Sequence, residues 1–139
     1  MNLYNLNKSK DNIAKAKTAI VFESEKSCLM MQSYYGFDND ISVACCGSSI
    51  SNYQISLLED LGVREIVVAF DRQFQEIGDD EFKRLKKKLI NINEKYGNSI
   101  RITAIFDKEM ILPYKASPID QGSEIFERLL KNRIVPKGK

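Results

Sequence analysis

The chain has 139 residues, of which 43% are hydrophobic and 29% charged, and its net charge is only +2. This balance is typical of one globular domain and excludes an intrinsically disordered chain. The absence of histidine and of a CxxC cysteine pair excludes histidine-based catalysis and argues against a structural zinc site. No apolar stretch approaches the ~18–20 residues that cross a bilayer, and the polar start does not fit a signal peptide, so we expect a cytoplasmic protein without membrane contact.

Four short apolar runs recur along the chain, and each is followed by a helical pattern. The runs cover residues 18–22, 41–46, 65–70 and 100–106, and the helices are expected near 24–35, 51–61, 80–96 and 120–132. Ser51 and Gln54 have the spacing of a capping box at the start of the second of these helices. The alternation predicts an α/β fold, with a four-stranded, mainly parallel sheet and helices on both faces.

The domain organisation that we predict has three parts. Residues 1–17 form an N-terminal linker or a short helix, residues 18–133 form the α/β domain, and residues 134–139 form a mobile tail. The third apolar run is continuous and β-branched, which is typical of a strand buried on both faces. The fourth run alternates in part, as an edge strand would.

Acidic residues follow three of the four predicted strands. Glu23 comes after the first, Asp71 after the third and Asp107 after the fourth, with Glu25 and Asp120 expected nearby. Ligands of an open parallel sheet bind beyond the carboxyl ends of its strands, so we expect these acids to converge on one edge. Clustered carboxylates suit a hard cation, Mg²⁺ or Mn²⁺, which is the usual partner for phosphoryl transfer. The plain alternative for any one acid is a helix cap or a solvated side chain.

Five segments, in chain order, resemble the TOPRIM domain of bacterial and phage primases. The second resembles the family's first strand, which ends in a glutamate, and the fourth resembles the strand that ends in its acidic motif. The last resembles the aspartate-bearing loop before the final helix. The five segments are residues 3–6, 20–27, 44–51, 67–71 and 117–122.

The chain also departs from the family pattern at three positions. Ser24 stands where the family usually has glycine, and Ser27 stands where it often has a second aspartate. The acidic motif is usually Asp-x-Asp, whereas this chain has Asp71, Arg72 and Gln73. One expected carboxylate is therefore an amide, which predicts a lower metal affinity. Such variants resemble the proteins of plasmids and phages more than the housekeeping enzyme.

Two further expectations concern the missing acid and the missing parts of a full primase. Glu76, Asp107 or Asp120 can take the place of the missing acid. The zinc-binding module and the basic subdomain of a full primase have no counterpart in these 139 residues, so we expect the chain to be a fragment of a longer protein.

The resemblance implies the catalytic domain of a DNA primase, which makes RNA primers by metal-dependent nucleotidyl transfer. Glu23 would be a metal ligand or general acid/base. Asp71 and Asp120 would be metal ligands for Mg²⁺ or Mn²⁺, and Asp71 is also assigned as catalytic. The implied partners are a DNA template, ribonucleotides and a replicative helicase. Contacts to template or nucleotide phosphates are assigned to four lysines, Lys8, Lys10, Lys15 and Lys17.

Two other functions stay open at this point. A non-catalytic TOPRIM-like binding module is favoured by Gln73 and Ser27. A receiver-type signalling domain shares the parallel sheet and the aspartate after the third strand, but it needs an acidic pair after its first strand and a lysine after a fifth strand, and only four strands are evident.

A second group of basic residues lies within the predicted helix 80–96. Because this helix is amphipathic, we expect its charges to lie on the solvated side and to contribute little to function. The group consists of Lys83, Arg84, Lys86, Lys87 and Lys88.

Overall fold

The computed structural model describes residues 3–47 and 49–138. The four remaining residues lie outside the described residues, and they include Ser48 of the TOPRIM-like segment and the outermost residues of the predicted N-terminal part and tail. The elements in chain order are α1 Leu6–Ala16, β1 Thr18–Phe22, α2 Glu25–Tyr35, a 3-10 turn Phe37–Asn39, β2 Ser42–Ala44, α3 Asn52–Asp60, β3 Glu65–Ala69, α4 Asp80–Tyr96, β4 Arg101–Ala104 and α5 Ser123–Lys131.

The four strands form one sheet in the order β2-β1-β3-β4, and every pair in it is parallel. The predicted α/β fold with a four-stranded parallel sheet is confirmed, with β3 in the interior and β4 at an edge. Phe22 lies beside Ala44 on one side and beside Ala69 on the other, so the carboxyl ends of β1, β2 and β3 are level. The described residues hold no fifth strand of the kind that a receiver domain would need.

Helices cover both faces of the sheet. Successive residues of each strand point to opposite faces, so each strand contributes side chains to two cores. Ala19 and Val21 of β1 pack in a core with α1, α3 and α4. Ile20 and Phe22 of the same strand pack in a second core with α2 and α5. Both faces of the central strands are therefore buried, which explains why their sequences are almost wholly apolar.

The helix boundaries follow local capping chemistry. The predicted capping box is present, with Ser51 Oγ accepting from the Gln54 N–H and the Gln54 side chain accepting from the Ser51 N–H. Asp79 caps α4 by accepting from the Phe82 N–H, and α4 has the predicted bounds. The last helix begins at Ser123, three residues later than the expected 120, because the preceding residues form a tight loop.

Both ends of the described chain contact the domain. Residues 6–16 form a helix, which is one of the two predicted alternatives for this part. Ile134 forms an antiparallel bridge with Ala104, and the Asn93 side chain donates to the Pro136 carbonyl. The segment predicted as a mobile tail is thus hydrogen-bonded as far as Pro136, and its mobility stays a prediction. None of the described helices is both long and apolar enough to cross a membrane.

Candidate functional site

Arg72 joins the two loops that carry the candidate site. Its guanidinium donates to the carbonyls of Phe74 at 2.9 Å, Leu112 at 2.6 Å and Gln75 at 2.5 Å. Its backbone N–H donates to the carbonyl of Ala116 at 2.9 Å. The planar group thereby fixes the loop after β3 against the loop that precedes α5. This role of Arg72 could not be predicted, since carbonyl acceptors leave no signal in a sequence.

Glu23 and Asp71 meet at the carboxyl edge of the sheet, as predicted. The backbone N–H of Asp71 donates to Glu23 Oε2 at 2.6 Å. The amide of Gln73 donates to the same oxygen at 3.1 Å. The residue that replaces an expected acid is therefore in direct contact with Glu23, and one oxygen of Glu23 is used by two protein donors.

Asp120 lies close enough to Asp71 to affect its ionisation. The pKa of Asp71 is raised from 3.8 to about 7, chiefly by burial and further by the negative charges of Glu23 and Asp120. Asp120 Oδ2 accepts from the Ser117 N–H at 2.9 Å. Within the described residues, Asp71 Oδ1 and Asp120 Oδ1 are both buried and neither has a hydrogen-bond partner. Buried oxygens without a donor are costly, so this pair suits a bound cation.

The carboxylates do not form a complete metal cage by themselves. No group of three or more Asp, Glu and Cys side chains in residues 3–47 and 49–138 is arranged to hold a metal ion. Hard oxygen donors and two unpaired oxygens nevertheless fit a divalent cation such as Mg²⁺, which usually takes one or two carboxylates and completes its shell with water or substrate phosphates.

Asp107 does not take the place of the missing acid. It is buried, and its two oxygens accept from the N–H groups of Ile111 at 2.9 Å and Leu112 at 2.8 Å. Both oxygens are thus used to shape the loop that follows β4. The expectation that Asp107 can substitute for the absent carboxylate is wrong for this reason.

Ser27 stands where the TOPRIM resemblance has a second aspartate, and it pairs with another serine. Ser27 Oγ donates to Ser117 Oγ at 2.8 Å, and both side chains are buried. This contact joins the start of α2 to the loop that holds Asp120. A neutral pair therefore stands beside the acids, and it adds no negative charge to the site.

A cleft of about 370 Å³ opens beside Glu23 and Asp71, and its other side is basic. Lys88 Nζ donates to Gln73 Oε1 at 3.4 Å and lies 6.0 Å from the centre of the Phe70 ring. Four of the five basic residues of α4 are exposed, as predicted, and Lys88 is half-buried. Two of the five, Arg84 and Lys88, nevertheless line this cleft, and the expectation that the group contributes little to function stays a prediction. The complete lining is Glu23, Asp71, Gln73, Glu81, Arg84, Lys88 and Lys115.

The N-terminal lysines lie apart from this cleft. All four are exposed, and none is among the residues that line it. Lys17 directly precedes β1, whereas Glu23 directly follows it, so the length of a five-residue strand, about 16 Å, separates the two positions. Lys8 and Lys10 lie in the first half of α1.

A prophage-derived protein is similar in sequence to this chain. No protein-family model matches the chain. The chain is 36% identical over 141 residues to the SPbeta prophage-derived uncharacterized protein YorJ of Bacillus subtilis (strain 168), an alignment that covers 96% of this chain and 37% of YorJ. The chain thus spans little more than a third of this relative.

Solved structures of similar fold are parts of bacterial primases. The RNA polymerase domain of Mycobacterium tuberculosis primase DnaG, solved with double-stranded DNA, has a TM-score of 0.66 at 18% identity over 96% of this chain and 39% of its own. The Aquifex aeolicus primase, with zinc-binding and RNA polymerase domains, scores 0.66 at 20% identity over 95% and 30%. A DNA primase domain from Pseudomonas aeruginosa scores 0.67 at 19% identity over 96% and 39%. The chain shares its fold with a part of bacterial DNA primases.

Proposed function

We propose that this chain is a TOPRIM domain that carries out metal-dependent nucleotidyl transfer in RNA primer synthesis, as a part of a longer primase protein. The observation that carries the proposal is the pair of buried, unpaired oxygens on Asp71 and Asp120 beside Glu23. These acids lie beyond the carboxyl ends of parallel strands, where such sheets bind their ligands. The fold shared with DNA primases supports the same assignment.

Asp71 and Asp120, assisted by Glu23, are the residues that would hold Mg²⁺ or Mn²⁺. The bound ion would supply positive charge for the nucleotide phosphates and activate the primer hydroxyl. Glu23 Oε1 has no hydrogen-bond partner among the described residues, and in the proposed reaction it accepts the proton of that hydroxyl. The two donors on Oε2 keep the carboxylate oriented for this purpose.

The proposed partners are a DNA template, ribonucleotides and a replicative helicase, in the cytoplasm. The Mycobacterium tuberculosis structure contains DNA, which supports the template. The prophage origin of YorJ supports a phage-type primase. Exposed lysines are suited to strand phosphates, and those assigned to template contacts are Lys8, Lys10, Lys15 and Lys17.

A second candidate function is a TOPRIM-like module that binds without catalysis. Gln73 favours it, because its amide donates to Glu23 Oε2 where the family has a carboxylate. The neutral pair of Ser27 and Ser117 favours it in the same way. Binding of a divalent cation separates the two candidates.

The test is a Mn²⁺ titration of the whole chain followed by paramagnetic line broadening of its backbone amides. Broadening is expected first near Glu23, Asp71 and Asp120. Asp71→Asn should weaken Mn²⁺ binding by about tenfold, because it removes one of few charged ligands. Asp60→Asn is the matched control, since it removes an exposed acid at the end of α3.

Broadening that spreads over the whole surface, or that responds equally to Asp71→Asn and Asp60→Asn, would contradict the metal site. The non-catalytic module would then be the better account of this domain.

A further inference from the structure

We propose that the cleft beside Glu23 and Asp71 binds the triphosphate of a nucleotide through Arg84, Lys88 and Lys115. The inference rests on the proposed function, since this triphosphate would belong to an incoming ribonucleotide. It adds a set of recognition residues that neither the sequence motifs nor the carboxylate site contains.

The first step is the arrangement of Arg84 and Lys88 on α4. Four residues separate them, so both side chains lie on one face, one turn apart. Like charges at this spacing repel and destabilise a helix slightly. The ion pairs found among the described residues, Arg128 with Glu109 and Arg133 with Glu65, include neither of them. An anion in the cleft would remove this repulsion.

The acid closest along the helix is engaged elsewhere. Glu81 lies one turn before Arg84, but its two oxygens contact the Tyr114 hydroxyl at 2.9 and 3.1 Å. No hydrogen bond from the Arg84 guanidinium to any described residue is present, so its five N–H donors are available to a ligand. A guanidinium is well suited to phosphate because it can donate two parallel hydrogen bonds.

The second step is the part played by Gln73. Its amide group donates to Glu23 Oε2, while its carbonyl oxygen accepts from Lys88 Nζ. The side chain therefore bridges Lys88 and Glu23, which form no ion pair with each other. A carboxylate at position 73 would form an ion pair with Lys88 and compete with phosphate. The amide leaves the charge of Lys88 available to a ligand, and it orients the ammonium group beside the carboxylates.

The third step concerns the loop that carries Lys115. The backbone of Lys115 has a φ of 68°, a left-handed conformation that is uncommon for a residue with a side chain. Its N–H donates to the Arg72 carbonyl at 2.7 Å, which holds this conformation. The neighbouring Tyr114 ties the same loop to Glu81 of α4. The backbone of Lys115 is thus fixed, and its exposed side chain lines the cleft together with Arg84 and Lys88 of α4.

The size and charge of the cleft favour a small polyphosphate. Its volume of about 370 Å³ lies in the range of small-molecule sites, ~300–1,000 Å³. The lining contains three cations and three carboxylates. Glu23 and Asp71 belong to the proposed metal site and Glu81 accepts from the Tyr114 hydroxyl, so the three cations remain to face the phosphoryl groups of a triphosphate. The phosphates of a nucleic-acid strand share this chemistry, so the experiment includes a strand as a separate arm.

The experiment titrates the ¹⁵N-labelled chain with inorganic triphosphate in low salt and excess EDTA. The absence of free metal separates this test from the Mn²⁺ titration, so either proposal can fail while the other stands. Amide shifts are expected at the Arg84–Lys88 face and near Lys115. Arg84→Gln with Lys88→Gln should raise the Kd by about tenfold or more, because charge-assisted hydrogen bonds are lost.

A matched control removes the same charge from the same helix. Lys83→Gln with Lys87→Gln keeps the spacing of four residues but changes exposed positions that do not line the cleft. We expect this control to change the Kd by less than about threefold, the effect of net charge alone. Arg84→Gln by itself changes an exposed residue, and it keeps the test valid if the double variant unfolds.

Three results would overturn the proposal. The first is equal weakening by the two double variants, which would indicate a response to net charge only. The second is the lack of triphosphate binding, or shifts that lie outside the cleft. The third is an oligonucleotide without terminal phosphate that occupies the cleft more tightly than triphosphate, which would assign the cleft to a strand backbone.

Discussion

The buried carboxylate of Asp40 and the half-buried carboxylate of Asp71 have opposite surroundings in this domain. Asp40 is 1% exposed, and its oxygens accept four hydrogen bonds. The donors are the Ser42 N–H at 2.9 Å, Ser42 Oγ at 2.6 Å, Asn5 Nδ2 at 2.7 Å and Gln32 Nε2 at 3.0 Å. Asp71 has a buried oxygen that no described residue contacts, and its pKa is raised to about 7.

The difference separates a carboxylate that builds the fold from one that is prepared for a ligand. The Asp40 network joins Asn5, which precedes α1, to the start of β2 and to Gln32 in α2. Each of these hydrogen bonds is 3.0 Å or shorter. Fully paired polar networks stabilise and specify a structure, whereas incompletely paired ones cost stability. Sites that tolerate such a cost are often functional. The predictions below test this contrast, and they run from the largest expected effect to the smallest.

The largest effect should come from the Asp40 network. Asp40→Asn replaces an acceptor with a donor that faces the amides of Asn5 and Gln32. We expect a loss of about 3 kcal/mol in the free energy of unfolding, the usual cost of breaking a buried charged network. Urea denaturation measures it, and Asp38→Asn, which changes an exposed acid two residues earlier, should leave the midpoint unchanged. Equal midpoints for the two variants would show that the network is not a structural anchor.

The second effect should come from adding the acid that the TOPRIM resemblance leads one to expect. Gln73→Glu places a carboxylate beside Glu23 and removes an amide donor from it. We expect about a tenfold gain in Mn²⁺ affinity, since ligand charge governs the affinity of such sites. Gln75→Glu adds the same charge to an exposed position of the same loop and should have little effect. An unchanged affinity in Gln73→Glu would place residue 73 outside the reach of the metal.

The regular part of the fold could be predicted because it depends on repeating patterns. The bounds of β1 and α4 follow from a continuous apolar run and a 3–4 periodicity that ends at Gly97 and Asn98. The start of α5 lies three residues later than the periodicity predicts, because the loop before it is closed by hydrogen bonds in both directions between Ser117 and Asp120. No periodicity reports such a contact.

The candidate site could be predicted only in part. The meeting of Glu23 and Asp71 follows from the rule that parallel strands end at one edge. The contact of Gln73 with Glu23 depends on an irregular loop fixed by Arg72, so the sequence reveals only that an acid is missing. The positions of Arg84 and Lys88 beside the cleft do have a signal in the sequence. Each directly precedes a buried leucine of α4, so each borders the apolar face of that helix.

The third effect concerns the pH dependence of stability. Because the pKa of Asp71 is raised to about 7 in the folded protein, the folded state holds this proton more tightly than the unfolded chain does. The resulting stabilisation is fully present below about pH 4 and is lost as the pH rises through about 7. Asp71→Asn should raise the melting temperature at pH 8.5 by about 3 °C, a modest value because the residue is only half buried.

The same comparison at pH 5 supplies the control for that measurement. At this pH Asp71 is still protonated in the folded state but already ionised in the unfolded chain, so roughly a third of the loss has occurred. Wild type and Asp71→Asn should therefore melt within about 1 °C of each other. A difference of equal size at both pH values would mean that Asp71 affects stability by packing and not by its charge.

The smallest effect should come from the lysines near the amino end of the sheet. Lys15→Gln with Lys17→Gln removes two exposed positive charges, as many as the Arg84 and Lys88 variant removes. Lys17 is separated from Glu23 by about 16 Å, twice the distance of ~8 Å over which physiological salt screens exposed charges. Triphosphate binding should therefore change by less than about twofold when the titration is repeated at 150 mM salt. A loss as large as that of Arg84→Gln with Lys88→Gln would mean that bound phosphate extends to the opposite end of β1, and that a strand rather than a single nucleotide is the ligand of this face.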